Sequence, residues 1–553
     1  MRFQFALLLA VAVAAAAAEP QEPPVPEPRR VGVGITQLKL TLREAVELAL
    51  KNNLEIEIER SNVANASQAL KAARGAFDPT LRYAPFFESR NTPAASVLQG
   101  PGGKLTERFL LNNLSLRQRT PYQGVAFNVD FENARNTTTN TFASLDPFYT
   151  SRLVFGVTIP LLRNRATDPQ RGEIRIRTRN VDISTAELEL RAIDVVTRVE
   201  QAYWALAAAS QDAFVQSEGV RLAREQLARN RRMIEAGTLA AVELAASEAE
   251  LQRRLDLWYA SAGVVTEAEN LLKSLIAPER SSPVWNDELI PTDLRTVEPP
   301  AATDLSALMQ TALQKRLELK QVDMRLETTG VQKQLAADQM KPQLNFQASY
   351  SNAGLGGALR ASDNPFSAAT ALQIQRLNAL SAIAGLPPLP QVSFGAVPSN
   401  LVGGYGSALH NLFAGRYQSF QAGVSFDINL RNRAAQAGAE QAAIAERRLK
   451  LERQRAEQAI EAQVRNALQG LETAKQRIAA AAAGERAAKE KLESEIRLFQ
   501  TGESTNFLVL TRQNEFLDAR RRAVVANFEL NRSISRLRQA VGDTLEAHQI
   551  SVK

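Results

Sequence analysis

Apolar and polar residues along this chain keep two different periods, and the two alternate in a fixed order. Val125, Phe127, Val129 and Phe131 alternate with Ala126, Asn128, Asp130 and Glu132. Phe420, Ala422, Val424, Phe426, Ile428 and Leu430 alternate with Gln421, Gly423, Ser425, Asp427 and Asn429, and the same pattern holds for Leu153–Ile159 and Leu344–Tyr350. Successive strand side chains point to opposite faces, so each stretch predicts a strand with one apolar face. Long segments between them step by three and four instead. Ile460, Val464, Leu468, Leu471 and Ile478 form one such seam, and Leu530, Ile534, Leu537 and Val541 another. Those are coiled-coil intervals. They predict helices over 42–73, 170–235 with a return to 277, 303–340, 434–500 and 504–541. At about 1.5 Å per residue the two longest would reach about 100 Å.

The order of elements occurs twice. The letters LRNRA stand at 162–166 and again at 430–434, each time between an alternating stretch and a long Ala/Arg/Glu-rich run. LREAVELALKNNLEI from Leu42 aligns with LSALMQTALQKRLEL from Leu305, and Val199, Gly237 and Leu272 align with Val464, Gly502 and Leu537. A tandem duplication accounts for this. The expected layout is a signal segment 1–18, a Pro-rich lead 19–37, a first repeat 38–277, a linker 278–300, a second repeat 301–545 and a tail 546–553.

The strands narrow the environment. Alternation over about ten residues, separated by polar or Gly/Pro loops, is the pattern of a transmembrane barrel strand with one face to lipid and one to water. A soluble sheet would need a second apolar layer, and no segment supplies one. Open sheet edges are excluded from hydrocarbon, so a small strand number per chain implies closure between chains. The N-terminus agrees with export. Met1-Arg2 precedes an apolar run from Phe5 to Ala18, with small residues before Glu19-Pro20. That is a secretory signal pattern, too short for a spanning helix, and no later run reaches 18 apolar residues.

Composition removes other classes. The net charge is +7 with a pI near 9.6, yet Lys and Arg alternate with Glu and Gln along the helices and form no basic block, so nucleic acid is not an expected partner. There are no cysteines and two histidines, His410 and His548. Thiol nucleophiles, disulfides, Cys-rich metal sites and a lipid-accepting cysteine are excluded. Gly354, Gly356 and Gly357 lack the strand-then-helix setting of a dinucleotide loop, and in Gly100–Lys104 the Ser/Thr of a phosphate loop is replaced by Leu105. No catalytic constellation, cofactor site or metal site is expected.

Several motifs together resemble the TolC-like outer-membrane efflux proteins. They are TLREAVELALKNN and ARGAFDPTL in the first copy, LRNRA closing each strand zone, EAGTLAAVELAASEAEL and QTGESTNFLVLTRQNEFLDAR at the hairpin turns, and LNRSISRLRQAVG near the end. The resemblance implies a mainly α fold with transmembrane β, built as a homotrimer with a shared barrel and a periplasmic α-helical tunnel. It implies a passive exit duct in the outer membrane of a Gram-negative-type bacterium, serving a tripartite efflux or type I secretion system. Cargo would arrive from an inner-membrane transporter through a periplasmic adaptor.

The resemblance places the adaptor contact and the closing end at the tips, around Gly237, Thr238, Glu243, Gly502, Glu503 and Ser504. A glycine there also serves the tight turn itself, since positive φ is free only for Gly. The chain departs from the family pattern in its second copy. Leu508 stands where an acidic residue commonly follows the tip glycine, Ser504 replaces an Arg, and Phe499 lacks the hydroxyl of a Tyr. Phe499, Leu508, Arg512 and Glu515 are the candidate gate contacts. The LRNRA arginines, Arg163, Arg165, Arg431 and Arg433, are expected at the membrane's periplasmic surface, against lipid headgroups.

The strand count stays open at this level. The resemblance implies two strands per copy. Copy two offers two, near 344–350 and 418–429, separated by a long loop over 351–416. Copy one offers four, near 81–88, 110–118, 124–133 and 152–160. A secreted or periplasmic coiled-coil structural protein with an accessory sheet is the alternative to a duct.

Overall fold

A computed structural model describes residues 27–34, 36–95, 99–293, 304–360, 365–390 and 397–550. The expected signal segment, the lead as far as residue 26 and the end of the linker lie outside the described residues. In chain order the elements are β1 (Gln37–Leu40), α1 (Leu42–Asn52), α2 (Leu54–Arg74), β2 (Thr80–Pro93), β3 (Lys104–Arg119), β4 (Ala126–Thr138), β5 (Leu145–Pro160), α3 (Pro169–Glu235) and α4 (Val242–Ile276). There follow β6 (Glu288–Pro291), α5 (Leu305–Lys315), α6 (Leu317–Gln339), β7 (Gln343–Leu359), α7 (Pro365–Ile383), α8 (Tyr405–Phe413), β8 (Tyr417–Asp427), α9 (Arg433–Gln500), α10 (Asn506–Val541) and α11 (Thr544–Ala547). Two compact units share them. One comprises Met1–Ile56, Ala192–Lys315 and Ala462–Lys553, the other Glu57–Arg191 and Arg316–Glu461.

The second of these units holds a six-stranded antiparallel sheet in the order β2-β3-β4-β5-β7-β8. The sheet of this unit thus holds six strands, with β3 and β4 paired along their length to β2, to each other and to β5. Register aligns the apolar positions into rows. Leu81 pairs with Leu116, Leu116 with Val129, Val129 with Phe155, Phe155 with Tyr350, and Tyr350 with Phe420. One residue along, the other face carries Arg82, Ser115, Asp130, Val154, Ser351 and Ser419. One face is an apolar belt and the other is mostly polar.

The segment 351–416, expected as a loop, is largely ordered. β7 continues to Leu359, and α7 and α8 follow. The reason lies in two small residues. A β-carbon on Gly354 would strike the Ala408 carbonyl, and one on Gly356 would lie 2.7 Å from the Ala408 nitrogen. Glycine thus lets α8 lie flat on β7. The Tyr405 hydroxyl donates to Asn133 Oδ1 at 2.9 Å, and Asn411 Nδ2 donates to the Leu355 carbonyl at 2.9 Å. His410, expected in a loop, is in α8.

The other unit is packed around helices. Val195, Val196, Val199, Leu206, Leu272 and Ile276 are buried, as is the cluster Leu471, Leu530, Ile534, Leu537 and Val541. A short parallel pair, β1 with β6, covers one end. Tyr203 anchors it: its hydroxyl donates to the Leu40 carbonyl at 3.0 Å and accepts from the Asp293 nitrogen at 3.1 Å. Burial pushes its pKa up to about 12. Lys273 and Glu269 are paired at 2.7 Å with almost no exposure, and Arg30 joins them from the N-terminal side. A buried charge is tolerable only when paired in this way.

Two expected helices are each broken. The run 42–73 divides at Asn53, and the run 303–340 divides at Arg316, the aligned position in the second copy. Asn53 leaves the helix with ψ 124. Its side chain donates to the Leu275 carbonyl at 3.1 Å and accepts from the Glu55 nitrogen at 2.9 Å, which recaps α2. A short polar side chain offers the backbone partners that the helix would otherwise supply. Periodicity alone does not register this, because the apolar pattern continues through the break.

Candidate functional site at the helix tips and the strand-to-helix joints

Each long helix ends in the same turn. After α3, Gly237 sits at φ 76, its N–H donates to the Ile234 carbonyl at 2.9 Å, and the Thr238 N–H donates to the Met233 carbonyl at 2.9 Å. After α9, Gly502 sits at φ 80, and the corresponding donations run from Gly502 to Phe499 at 3.2 Å and from Glu503 to Leu498 at 2.9 Å. This is the Schellman closure, which satisfies the last carbonyls of a helix by turning through a left-handed residue. Nothing lies within 4 Å of where a β-carbon would stand on either glycine. Backbone angle, and not space, makes these positions glycine.

A buried amide network joins the two turns. Asn506 Oδ1 accepts from Gln226 Nε2 at 3.0 Å and from Asn230 Nδ2 at 2.9 Å. Asn230 Nδ2 also reaches Ser247 Oγ at 2.7 Å, while Asn506 Nδ2 donates to Glu243 Oε2 at 2.9 Å. Gln226, Asn230, Ser247 and Asn506 are all buried. So Glu243, singled out in the sequence by its spacing from Gly237, finds its partner at the start of α10. Asn506 itself was not legible in the sequence. Its aligned position in the first copy is Ala241, just as the position aligned with Glu243 in the second copy is Leu508, so each copy supplies what the other lacks.

The candidate gate residues fall into two groups. Arg512 pairs with Glu515 at 2.8 Å and faces Glu495 at 3.7 Å, and the Ser504 hydroxyl donates to Glu495. The hydrogen bonds that the Arg512 guanidinium donates to Glu515 hold its pKa above its ordinary value. Glu495 is therefore the hub of the second tip, and no motif marks it; only its place two turns before Gly502 on the face toward α10 does. Phe499 is buried, and Leu508 and Glu503 are exposed. Nearby, Val242 and Phe507, at aligned positions in the two copies, are each more than 70% exposed. Deeper in the hairpins, burial lowers the Arg254 guanidinium even though Glu250 lies 2.8 Å away.

The doubled LRNRA forms a joint. Its central residues, Asn164 and Asn432, both take positive φ, 66 and 25. Asparagine is among the few residues that tolerate this conformation. Both turns reach the C-terminal end of α6. The Asn164 nitrogen donates to Asp338 Oδ2 at 2.6 Å, Gln339 Nε2 donates to Asn164 Oδ1 at 3.0 Å, and Asn432 Nδ2 donates to the Gln339 carbonyl at 3.3 Å. Asp338 is buried and also holds Lys341 at 2.7 Å. Arg163 is half-buried against Gln343, whereas Arg165, Arg431 and Arg433 are exposed. His548, in the tail, meets the buried Glu200 at 2.7 Å, with the Ser535 hydroxyl on the other oxygen of that carboxylate.

Residues 358–543 match the family described as outer membrane efflux protein. No curated protein matches the chain by sequence. Among solved structures, the CusC transmembrane channel is 14% identical over 91% of this chain and 92% of its own, with a TM-score of 0.60. The CmeC outer membrane channel of Campylobacter jejuni is 15% identical over 91% and 85%, at 0.58, and VceC of Vibrio cholerae is 13% identical over 91% and 96%, at 0.57. At such identities these likenesses establish the fold. The family match over residues 358–543 and the fold shared along most of the chain both make this protein similar to outer membrane efflux proteins.

Proposed function

We propose that three copies of this chain form a passive exit duct, in which the sheets close a shared transmembrane barrel and the hairpins build a periplasmic tunnel. The observation that carries this reading is the apolar row Leu81, Leu116, Val129, Phe155, Tyr350 and Phe420. Four of these are at least 40% exposed besides Leu116 at 40%, so they await a nonaqueous neighbour. Among the described residues no helix is long and apolar enough to cross a membrane. Each strand has 11 to 17 residues. Spanning needs about 9–11.

In this reading the tips receive a periplasmic adaptor, and an inner-membrane transporter loads cargo of a tripartite efflux or type I secretion system. The exposed side chains Val242 and Phe507 beside the glycine turns support a docking surface there. Gly237, Thr238, Glu243, Gly502, Glu503 and Ser504 would frame that surface, with Phe499, Leu508, Arg512 and Glu515 at the closing end. Arg163, Arg165, Arg431 and Arg433 would meet headgroups at the periplasmic face of the outer membrane. The turn geometry supports their level, since the joint comes directly after β5 and β8.

Three outcomes are expected. Full-length protein should leave membranes only with detergent and run as a heat-sensitive trimer; a chain released by salt or osmotic shock as a monomer contradicts the duct. Gly502→Val should abolish export while the trimer still inserts, because a β-branched residue is strained at φ 80; normal export by that variant removes the tip from the mechanism. Reversing the charge of all four joint arginines should lower the inserted fraction severalfold in membrane fractionation, and unchanged insertion contradicts their headgroup contact.

A further inference from the structure

The row of paired apolar residues runs without interruption through β3 and β4, the strands that exceed two per copy. Leu110, Leu114 and Leu116 of β3 and Phe127 of β4 are exposed large apolar side chains on the same face as Phe155 of β5 and Phe420 of β8. A rim hairpin standing in water would not carry this belt at the level of its neighbours. The excess strands therefore sit in the wall.

Among the described residues, the two ends of the sheet, β2 and β8, each have a strand neighbour on one side only. In hydrocarbon an unpaired row of N–H and C=O groups costs several kcal/mol per group, so each edge needs a partner. A second copy of this chain is the partner that fits. Joining β2 to β2 of another copy by a two-fold along the membrane normal would put the belt of one copy beside the polar face of the other. A two-fold within the membrane plane would invert one copy across the bilayer. Only β2 against β8 keeps both the direction and the apolar face. That pairing is antiparallel, as the rest of the meander is, and a head-to-tail contact of this kind propagates into a closed ring.

We propose that the assembled barrel contains eighteen strands, six from each of three copies, in place of the twelve of the four-stranded family pattern; this rests on the trimeric duct reading above. With strands about 4.8 Å apart and tilted about 40°, eighteen strands give a backbone diameter of about 36 Å, against about 24 Å for twelve. Barrels of 16–18 strands leave an aqueous channel. Helix α8 leaves the interior clear, because it lies on the face of Gly354, Gly356, Tyr149 and Asn133, the same side as the belt. The first copy has widened the wall by a hairpin, and the second has instead placed a helix against its outer surface.

Electron cryomicroscopy of the detergent-extracted full-length protein tests this. The expected result is a three-fold ring with eighteen strands and a wall about 36 Å across. A three-fold ring of twelve strands overturns the proposal while leaving the duct reading intact. The absence of any three-fold ring overturns the duct reading and the proposal with it. An independent measurement uses brominated lipid against added tryptophan fluorescence in reconstituted protein. Leu114→Trp and Phe127→Trp should be quenched to the same extent as Phe155→Trp. If only Phe155→Trp is quenched, β3 and β4 are outside the wall and the proposal fails.

Discussion

A backbone N–H or C=O in hydrocarbon has no water to bond, and that single constraint organises this molecule. It decides which part of the chain can meet lipid. The long helices satisfy their own backbones and carry ion pairs along their length, such as the Arg221, Glu218 and Glu225 cluster, and among the described residues none is long and apolar enough to cross a membrane. The sheet satisfies its backbone only where strands have neighbours. Its apolar row then gives the membrane one face, and its two edges demand further copies. Barrel, oligomer and helical duct are linked consequences of this one requirement, all three resting on the proposals stated above.

The duplication supplies a second principle, because equivalent positions have been kept where backbone geometry rules and have diverged where side chains meet. Gly237 and Gly502 keep the same left-handed turn, and Asn164 and Asn432 keep the same positive φ at the joints. The helix breaks at Asn53 and Arg316 recur at aligned positions, although the residues differ. By contrast, the tip network is asymmetric: Asn506 faces Glu243, and the aligned pair would be Ala241 and Leu508. An identical pair of tips could not make that bond. The asymmetry lets two copies within one chain recognise each other at a defined register, and satisfying each amide keeps a buried polar cluster from costing stability.

Much of the architecture was legible because periodicity reports which face of an element is apolar. Period two located four strands of the larger sheet, its other two were candidates near 81–88 and 110–118, the short β1 and β6 were not foreseen, and the long helical runs located α3, α4, α9 and α10 to within a few residues. What escaped were features that leave the apolar pattern intact. Asn53 breaks a helix through side-chain bonds to Leu275 and Glu55, and no sequence rule distinguishes that asparagine from an exposed one. The helix α8 was read as loop because the reason for its position, the missing β-carbons of Gly354 and Gly356, acts on a partner some fifty residues away. Glu495 and Asn506 owe their places to tertiary neighbours. The tips were found through glycine spacing, but the groups that hold them together were visible only in three dimensions.

The central claim is that the sheet edges are paired between copies in the membrane. Amide hydrogen exchange on detergent-extracted or lipid-reconstituted full-length protein addresses it directly, at Thr80–Pro93 and Tyr417–Asp427. If β2 and β8 join neighbouring copies, their non-proline amides should be protected as strongly as those of Ala126–Thr138 in the middle of the sheet. Exchange of the two edges at the rate of exposed loops, with the inner strands protected, would contradict the account.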